Sequence, residues 1–155
     1  MNLLETGASS NMAIKIDIKK AFDSMSWPFI MEVLSAFGFH KTFCDWIMAI
    51  FQSARISILL PGGAKGYFPC SRGVRQRDPL SPLLFCLAED FLSRLLTRMV
   101  NDGKFLPIAT ARYVAPSHLL YADDVLIFGR ASRQNLKALK DLFRVYGQLS
   151  GQEVT

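Results

Sequence analysis

Leu119-Leu120-Tyr121-Ala122-Asp123-Asp124-Val125-Leu126-Ile127-Phe128 is the stretch on which the fold turns. Two carboxylates interrupt an otherwise apolar run, and no basic residue lies between Tyr121 and Phe128 to neutralise them. Burying a carboxylate without a partner is costly, so such groups are paired, hydrogen-bonded or metal-bound. Neighbouring side chains of a strand point to opposite faces, so both aspartates share one side only if a turn carries them. The stretch therefore reads as two short strands joined by a tight turn at the aspartates. By itself, an Asp-Asp pair is also what an ordinary hairpin turn would contain.

A third carboxylate sits in similar company. Ala13-Ile14-Lys15-Ile16-Asp17-Ile18 reads as a buried, β-branched strand with an aspartate near its end. Placed beside the Asp123-Asp124 turn, Asp17 would complete an all-oxygen site. Magnesium takes such sites with one or two carboxylates and keeps its remaining positions for water and phosphate oxygens.

Around these strands the chain reads as alternating elements. Ser26, Pro28 and Gly38 mark the start, first turn and stop of one helix. Thr42 to Ser53 has the pattern of a second. Arg55 to Leu60, the turn Pro61-Gly62-Gly63 and Tyr67 to Cys70 form a hairpin. A polar stretch with Arg72, Arg75 and Arg77 leads through Pro79 and Pro82 into a long helix ending near Val100. Ser132 caps a last helix from Gln134 to Leu149, stopped near Gly151. The order β-α-α-β-β-α-β-β-α predicts an α+β fold, with helices on one face of an antiparallel sheet.

Composition sets outer bounds. The 155 residues are half hydrophobic and 20% charged, which excludes a disordered chain and suits one domain with a buried core. No apolar run reaches the roughly 18 residues of a membrane helix, and the N-terminus lacks the order of a secretory signal. Cys44, Cys70 and Cys86 are far apart and odd in number, as expected of a reducing compartment. Eighteen basic against 13 acidic residues give a net charge of +5, compatible with a polyanionic partner. His40 and His118 have no ligand-type neighbours in sequence. Trp27, Trp46 and the phenylalanines at 29, 37, 39, 43 and 51 read as helix packing.

Three blocks occur in a telling order: Lys15-Ile16-Asp17-Ile18-Lys19-Lys20-Ala21-Phe22-Asp23-Ser24, then Gly73-Val74-Arg75-Gln76-Arg77-Asp78-Pro79-Leu80-Ser81-Pro82, then Tyr121-Ala122-Asp123-Asp124. Together they resemble the central blocks of reverse transcriptases, closest to the non-LTR, LINE-type retrotransposon enzymes of plants. The resemblance runs from about Ala13 to Glu153. It implies the palm of a right-hand polymerase, with incomplete fingers and no thumb, as a single partial domain over residues 1–155. It implies an RNA-directed DNA polymerase using two Mg²⁺ ions, or Mn²⁺, on an RNA template, a DNA primer and dNTPs. Asp17 and Asp123 match the metal ligands, helped by the backbone carbonyl of Ile18. Asp124 matches the supporting or loosely metal-bound aspartate. Tyr121 matches the aromatic near the primer end. Phe22 matches the gate that excludes a ribose 2′-hydroxyl, although alone it would read as core. Arg75 and Gln76 match the template- and nucleotide-contacting loop. The three arginines lie before a helix start, where backbone N–H groups favour phosphate.

The pattern breaks in two places. Arg77 stands where the family carries glycine, so its bulk is expected to obstruct template or nucleotide. The chain also ends before the family's lysine-bearing segment, which is thought to protonate pyrophosphate. The expectation is a piece of a larger polyprotein with endonuclease, fingers and thumb, in nucleus or cytoplasm and not secreted, without a membrane association. The alternative is an inactive remnant that at most binds nucleic acid. A nucleotide cyclase would account for the aspartates but not for Gln76 to Pro82.

Overall fold

The computed structural model describes residues 11–108 and 116–154. Its centre is β1 (Asn11–Lys19), whose even positions Met12, Ile14, Ile16 and Ile18 are buried while Lys15, Asp17 and Lys19 are exposed. That alternation is the period-2 signature of a strand with one covered face. β4 (His118–Tyr121) and β5 (Asp124–Arg130) form the expected hairpin. With β6 (Glu153–Val154) they make a four-stranded antiparallel sheet in the order β4-β5-β1-β6. The register of β1 on β5 runs from Asn11 opposite Arg130 to Asp17 opposite Asp124. β6 was not foreseen, since two paired residues carry too little pattern to be read.

Helices cover one face. α1 (Ala21–Ser24) is a single turn absent from the sequence reading, entered through Lys20 in the left-handed region. α2 (Trp27–Ala36) follows. Ser26 occupies its N-cap position, but the side chain makes no capping bond; its backbone N–H is instead donated to Ser150 O at 2.7 Å. α3 (Lys41–Ser53) is capped by His40, whose Nδ1 accepts from the Thr42 N–H at 3.2 Å. α4 (Ser81–Asn101) turns Leu84, Phe85, Ala88, Leu92 and Leu96 inward, the stripe of a helix packed on a sheet. α5 (Arg133–Ser150) starts at Ser132, whose hydroxyl accepts from Asn135 N–H at 3.1 Å, and stops at Gly151 with φ 75°.

β2 (Arg55–Leu60) and β3 (Gly63–Pro69) form a separate two-stranded sheet on which every residue is exposed. Its strands close on Pro61-Gly62, with Leu60 opposite Gly63, so the return strand begins four residues earlier than read. A register shift between Ile56 and Ile58 sets two residues of β3, Gly66 and Tyr67, opposite Ser57.

Two buried amides tie these layers together. Asn135 donates to Leu106 O at 2.8 Å and Arg130 O at 2.9 Å and accepts from Leu106 N–H at 2.8 Å. Gln152 donates to Ala21 O at 2.9 Å and accepts from the Tyr146 hydroxyl at 2.7 Å. The bond to Ala21 O anchors α1 to the far end of α5.

Candidate active site

The turn between β4 and β5 decides where the carboxylates stand. Ala122 and Asp123 form it, with Tyr121 paired to Asp124 across its base. Ala122 has φ 53°, a conformation that costs an L-residue with a Cβ and that hairpin turns normally assign to glycine. Only Asp123 therefore lies in the turn, and Asp124 opens β5; the reading of both in the turn is corrected by one residue. The Asp123 carbonyl accepts from Ile18 N–H at 3.0 Å, which locks the turn against the end of β1. Asp124 is the cross-strand partner of Asp17, so these two share a face.

Lys15, two residues before Asp17 on that face, forms an ion pair with Asp124 at 2.7 Å. The bond to Asp124 holds the Lys15 ammonium above the usual lysine range, with the charges of Asp124, Asp17 and Asp123 acting in the same direction. All three carboxylates thus direct their field at one cationic group. Among the described residues, no three His, Cys, Asp or Glu side chains form a ready-made metal cage. The donor set fits magnesium in the other manner, in which a few carboxylates hold it and substrate phosphates complete the shell.

A further acid lies beneath. Glu89 on α4 is 7% exposed, and neither of its carboxylate oxygens has a hydrogen-bond partner. Burial raises its pKa to about 7, helped by the negative charge of Asp123. The sequence reading missed it. The available signal was an acid on the inward stripe of a long helix. On the same helix Ser93 bonds His118 Nε2 at 2.7 Å, and Ser117 bonds Nδ1 at 2.9 Å. Burial lowers the pKa of His118, and both ring nitrogens are satisfied within the fold.

The remaining predicted residues divide into two groups. Phe22, on α1, is half-buried and stacks on Phe85 of α4, with ring centroids 4.5 Å apart. Tyr121 is 83% exposed beside the turn. Arg75 and Gln76 are brought to α1 by a chain crossing. Val74 N–H donates to Phe22 O at 2.8 Å, Gly73 N–H to Met25 O at 2.7 Å, and Trp27 Nε1–H to Gly73 O at 2.7 Å. Gly73 has φ 81°, and a Cβ there would meet Asp23 O at 2.6 Å, so no other residue permits this approach. Gln76 Nε2 then donates to Asp23 at 3.0 and 3.2 Å. Arg75 and Arg72 line a cavity of about 450 Å³ between this crossing, α3 and α4. Arg77 adopts φ 69°, the backbone conformation that glycine takes without strain.

Comparison with known proteins shows the family of the chain. A profile described as "Reverse transcriptase (RNA-dependent DNA polymerase)" matches residues 1–154. The chain belongs to the reverse transcriptase family. Within it, the chain is 34% identical over 128 residues to the Retrovirus-related Pol polyprotein from type-2 retrotransposable element R2DM of Drosophila melanogaster, covering 81% of this chain and 11% of that protein. It is 34% identical over 114 residues to the Pol polyprotein from type-1 retrotransposable element R2 of Popillia japonica, covering 74% and 18%. It is 28% identical over 142 residues to the Transposon TX1 149 kDa protein of Xenopus laevis, covering 91% and 10%. This reverse transcriptase chain thus spans under a fifth of the length of each of these three relatives, two of which are Pol polyproteins of retrotransposable elements. Its fold is similar to part of apo telomerase from Candida tropicalis truncated from the C-terminal domain, with TM-score 0.65 at 15% identity, covering 94% of this chain and 30% of that one.

Proposed function

We propose that this domain carries out RNA-directed DNA synthesis by metal-assisted nucleotidyl transfer. The primer 3′-hydroxyl attacks the α-phosphorus of a dNTP, and pyrophosphate leaves. The observation that carries the reading is the junction of β1 with the β4–β5 turn, where Asp17 faces Asp124 and Asp123 is bonded through its backbone to Ile18.

Asp17, Asp123 and the backbone carbonyl of Ile18 would hold Mg²⁺ or Mn²⁺, with Asp124 supporting. When bound, a pair of such ions lowers the pKa of the attacking hydroxyl and offsets charge on the leaving oxygen. Before loading, Lys15 compensates the carboxylates, so metal binding must compete with an internal ammonium. Phe22, braced by Phe85, supplies a rigid ring against which a ribose 2′-hydroxyl would clash. Arg75, Gln76 and Tyr121 contact template, nucleotide and primer. The RNA template, DNA primer and dNTP are this domain's partners in the reading, within a longer polyprotein.

Arg77 supports a second reading, a remnant that binds nucleic acid without catalysis, because a bulky side chain stands in a glycine conformation at the loop. Primer extension on an RNA template separates the two. Extension by the parent that Asp123→Ala abolishes supports the polymerase. Extension only by Arg77→Gly assigns the defect to that side chain. Silence from all three folded chains supports the remnant.

A further inference from the structure

We propose that Asp23 is a positioning residue that fixes which end of the Gln76 side-chain amide faces bound nucleic acid. The proposal rests on the polymerase reading for its nucleic acid, but its geometry stands independently. Gln76 Nε2 lies 3.0 Å from Asp23 Oδ1 and 3.2 Å from Oδ2. An ionised carboxylate only accepts hydrogen bonds, so the amide nitrogen must be the end that faces it. The carbonyl Oε1 is thereby turned away from Asp23, and the exposed side chain offers an acceptor on its outer side. Without Asp23, a solvent-exposed glutamine samples many rotamers and both amide orientations.

The backbone beneath this pair is prepared for it. Residues 23 and 76 are 53 apart in sequence, yet the Val74–Phe22 and Gly73–Met25 bonds join their segments directly. The close approach of Gly73 to the Asp23 carbonyl sets the spacing. Gln152 holds the other side of α1 through Ala21 O. Asp23 thus sits on a turn anchored from two sides, while the residue it orients lies in an exposed loop. A fixed acceptor suits a hydrogen-bond donor on nucleic acid, that is, a sugar hydroxyl or a base amino group. Fixing it in advance removes an ordering cost from binding.

The test has one arm that needs no catalysis. In ¹⁵N NMR of the full chain, the Gln76 side-chain NH₂ signal, assigned by its loss in Gln76→Ala, reports order and hydrogen bonding. It should be ordered in the parent and averaged in Asp23→Ala. Asp23→Asn can donate or accept, so both amide orientations become populated and the NH₂ signal should shift or split, which carries the test if Asp23→Ala does not fold. In the second arm, fluorescence anisotropy measures binding of a labelled RNA-template/DNA-primer duplex. Asp23→Ala and Gln76→Ala should each weaken it roughly 2- to 12-fold, the range of one net hydrogen bond. The double variant should be no weaker than Gln76→Ala alone. An unchanged Gln76 signal in whichever Asp23 variants fold, or losses that add in the double variant, overturns the proposal. If the parent binds no duplex, the polymerase reading falls, and the amide signal alone decides whether Asp23 holds Gln76.

Discussion

At the scale of single residues, the chain departs from ideal backbone chemistry where the site is built. Arg77 and Ala122 both hold positive φ, at 69° and 53°. Each conformation costs a residue bearing a Cβ about 1 to 2 kcal/mol. Replacing Arg77 by glycine relieves this but adds unfolded-chain entropy, so a net gain of about 0.5 to 1 kcal/mol is expected. Urea unfolding of Arg77→Gly against the parent measures it. A loss of stability would mean that the arginine side chain makes up for its own backbone. From the sequence, Arg77 was recognisable as an anomaly because a glycine was expected there. Ala122 was not, since alanine in a turn carries no visible mark.

At the scale of elements, α4 and the β2–β3 hairpin lie at opposite ends of the stability range. α4 places Glu89 in the core with a pKa near 7. An acid whose pKa is raised by folding binds its proton more tightly in the native state. Stability therefore falls as pH rises from the unfolded value of about 4.5 to about 7, and is level above it. The fall amounts to roughly 3 kcal/mol if the whole shift is expressed. Glu89→Gln cannot ionise, so its melting temperature should stay nearly constant between pH 5 and pH 8 while the parent's drops. Equal slopes in the two proteins would show that Glu89 is not the titrating group. The hairpin is the reverse case. A two-stranded sheet with both faces in water is marginal. Its amides should exchange with deuterium at least 100-fold faster than those of β1 and β5, about 2.7 kcal/mol in local opening free energy.

At the scale of the whole molecule, charge and apolar surface both point outward. Ile58, Leu59, Leu60, Tyr67 and Phe68 of the hairpin are exposed, Leu59 to 83%. Large apolar side chains exposed on both faces of a hairpin promote association. Light scattering should show concentration-dependent self-association that Leu59→Lys with Tyr67→Ser reduces. No change would locate the sticky surface elsewhere. The net charge of +5 and the arginines at 72, 75 and 77 would give the proposed binding of nucleic acid a salt dependence. Replacing all three by alanine should reduce the slope of log K against log salt by about 2 to 3, near 0.9 per lost phosphate contact. An unchanged slope would exclude these arginines from the interface.

Much of the molecule was legible from its order of residues alone. β1, the long helices and the β4–β5 hairpin follow from local periodicity and from carboxylates in apolar strands, which are short-range signals, whereas the three blocks were legible through their resemblance to reverse transcriptases. What only the tertiary structure decided is where those pieces meet. The pairing of Asp17 with Asp124, the Lys15 ion pair, the burial of Glu89 and the hold of Asp23 on Gln76 each join distant segments. β6 and α1 are also tertiary products, too short for any pattern and held by bonds from elsewhere. The physical reason is range. Hydrophobic period and turn chemistry act over a few residues, whereas the field around a carboxylate depends on whatever the fold brings beside it.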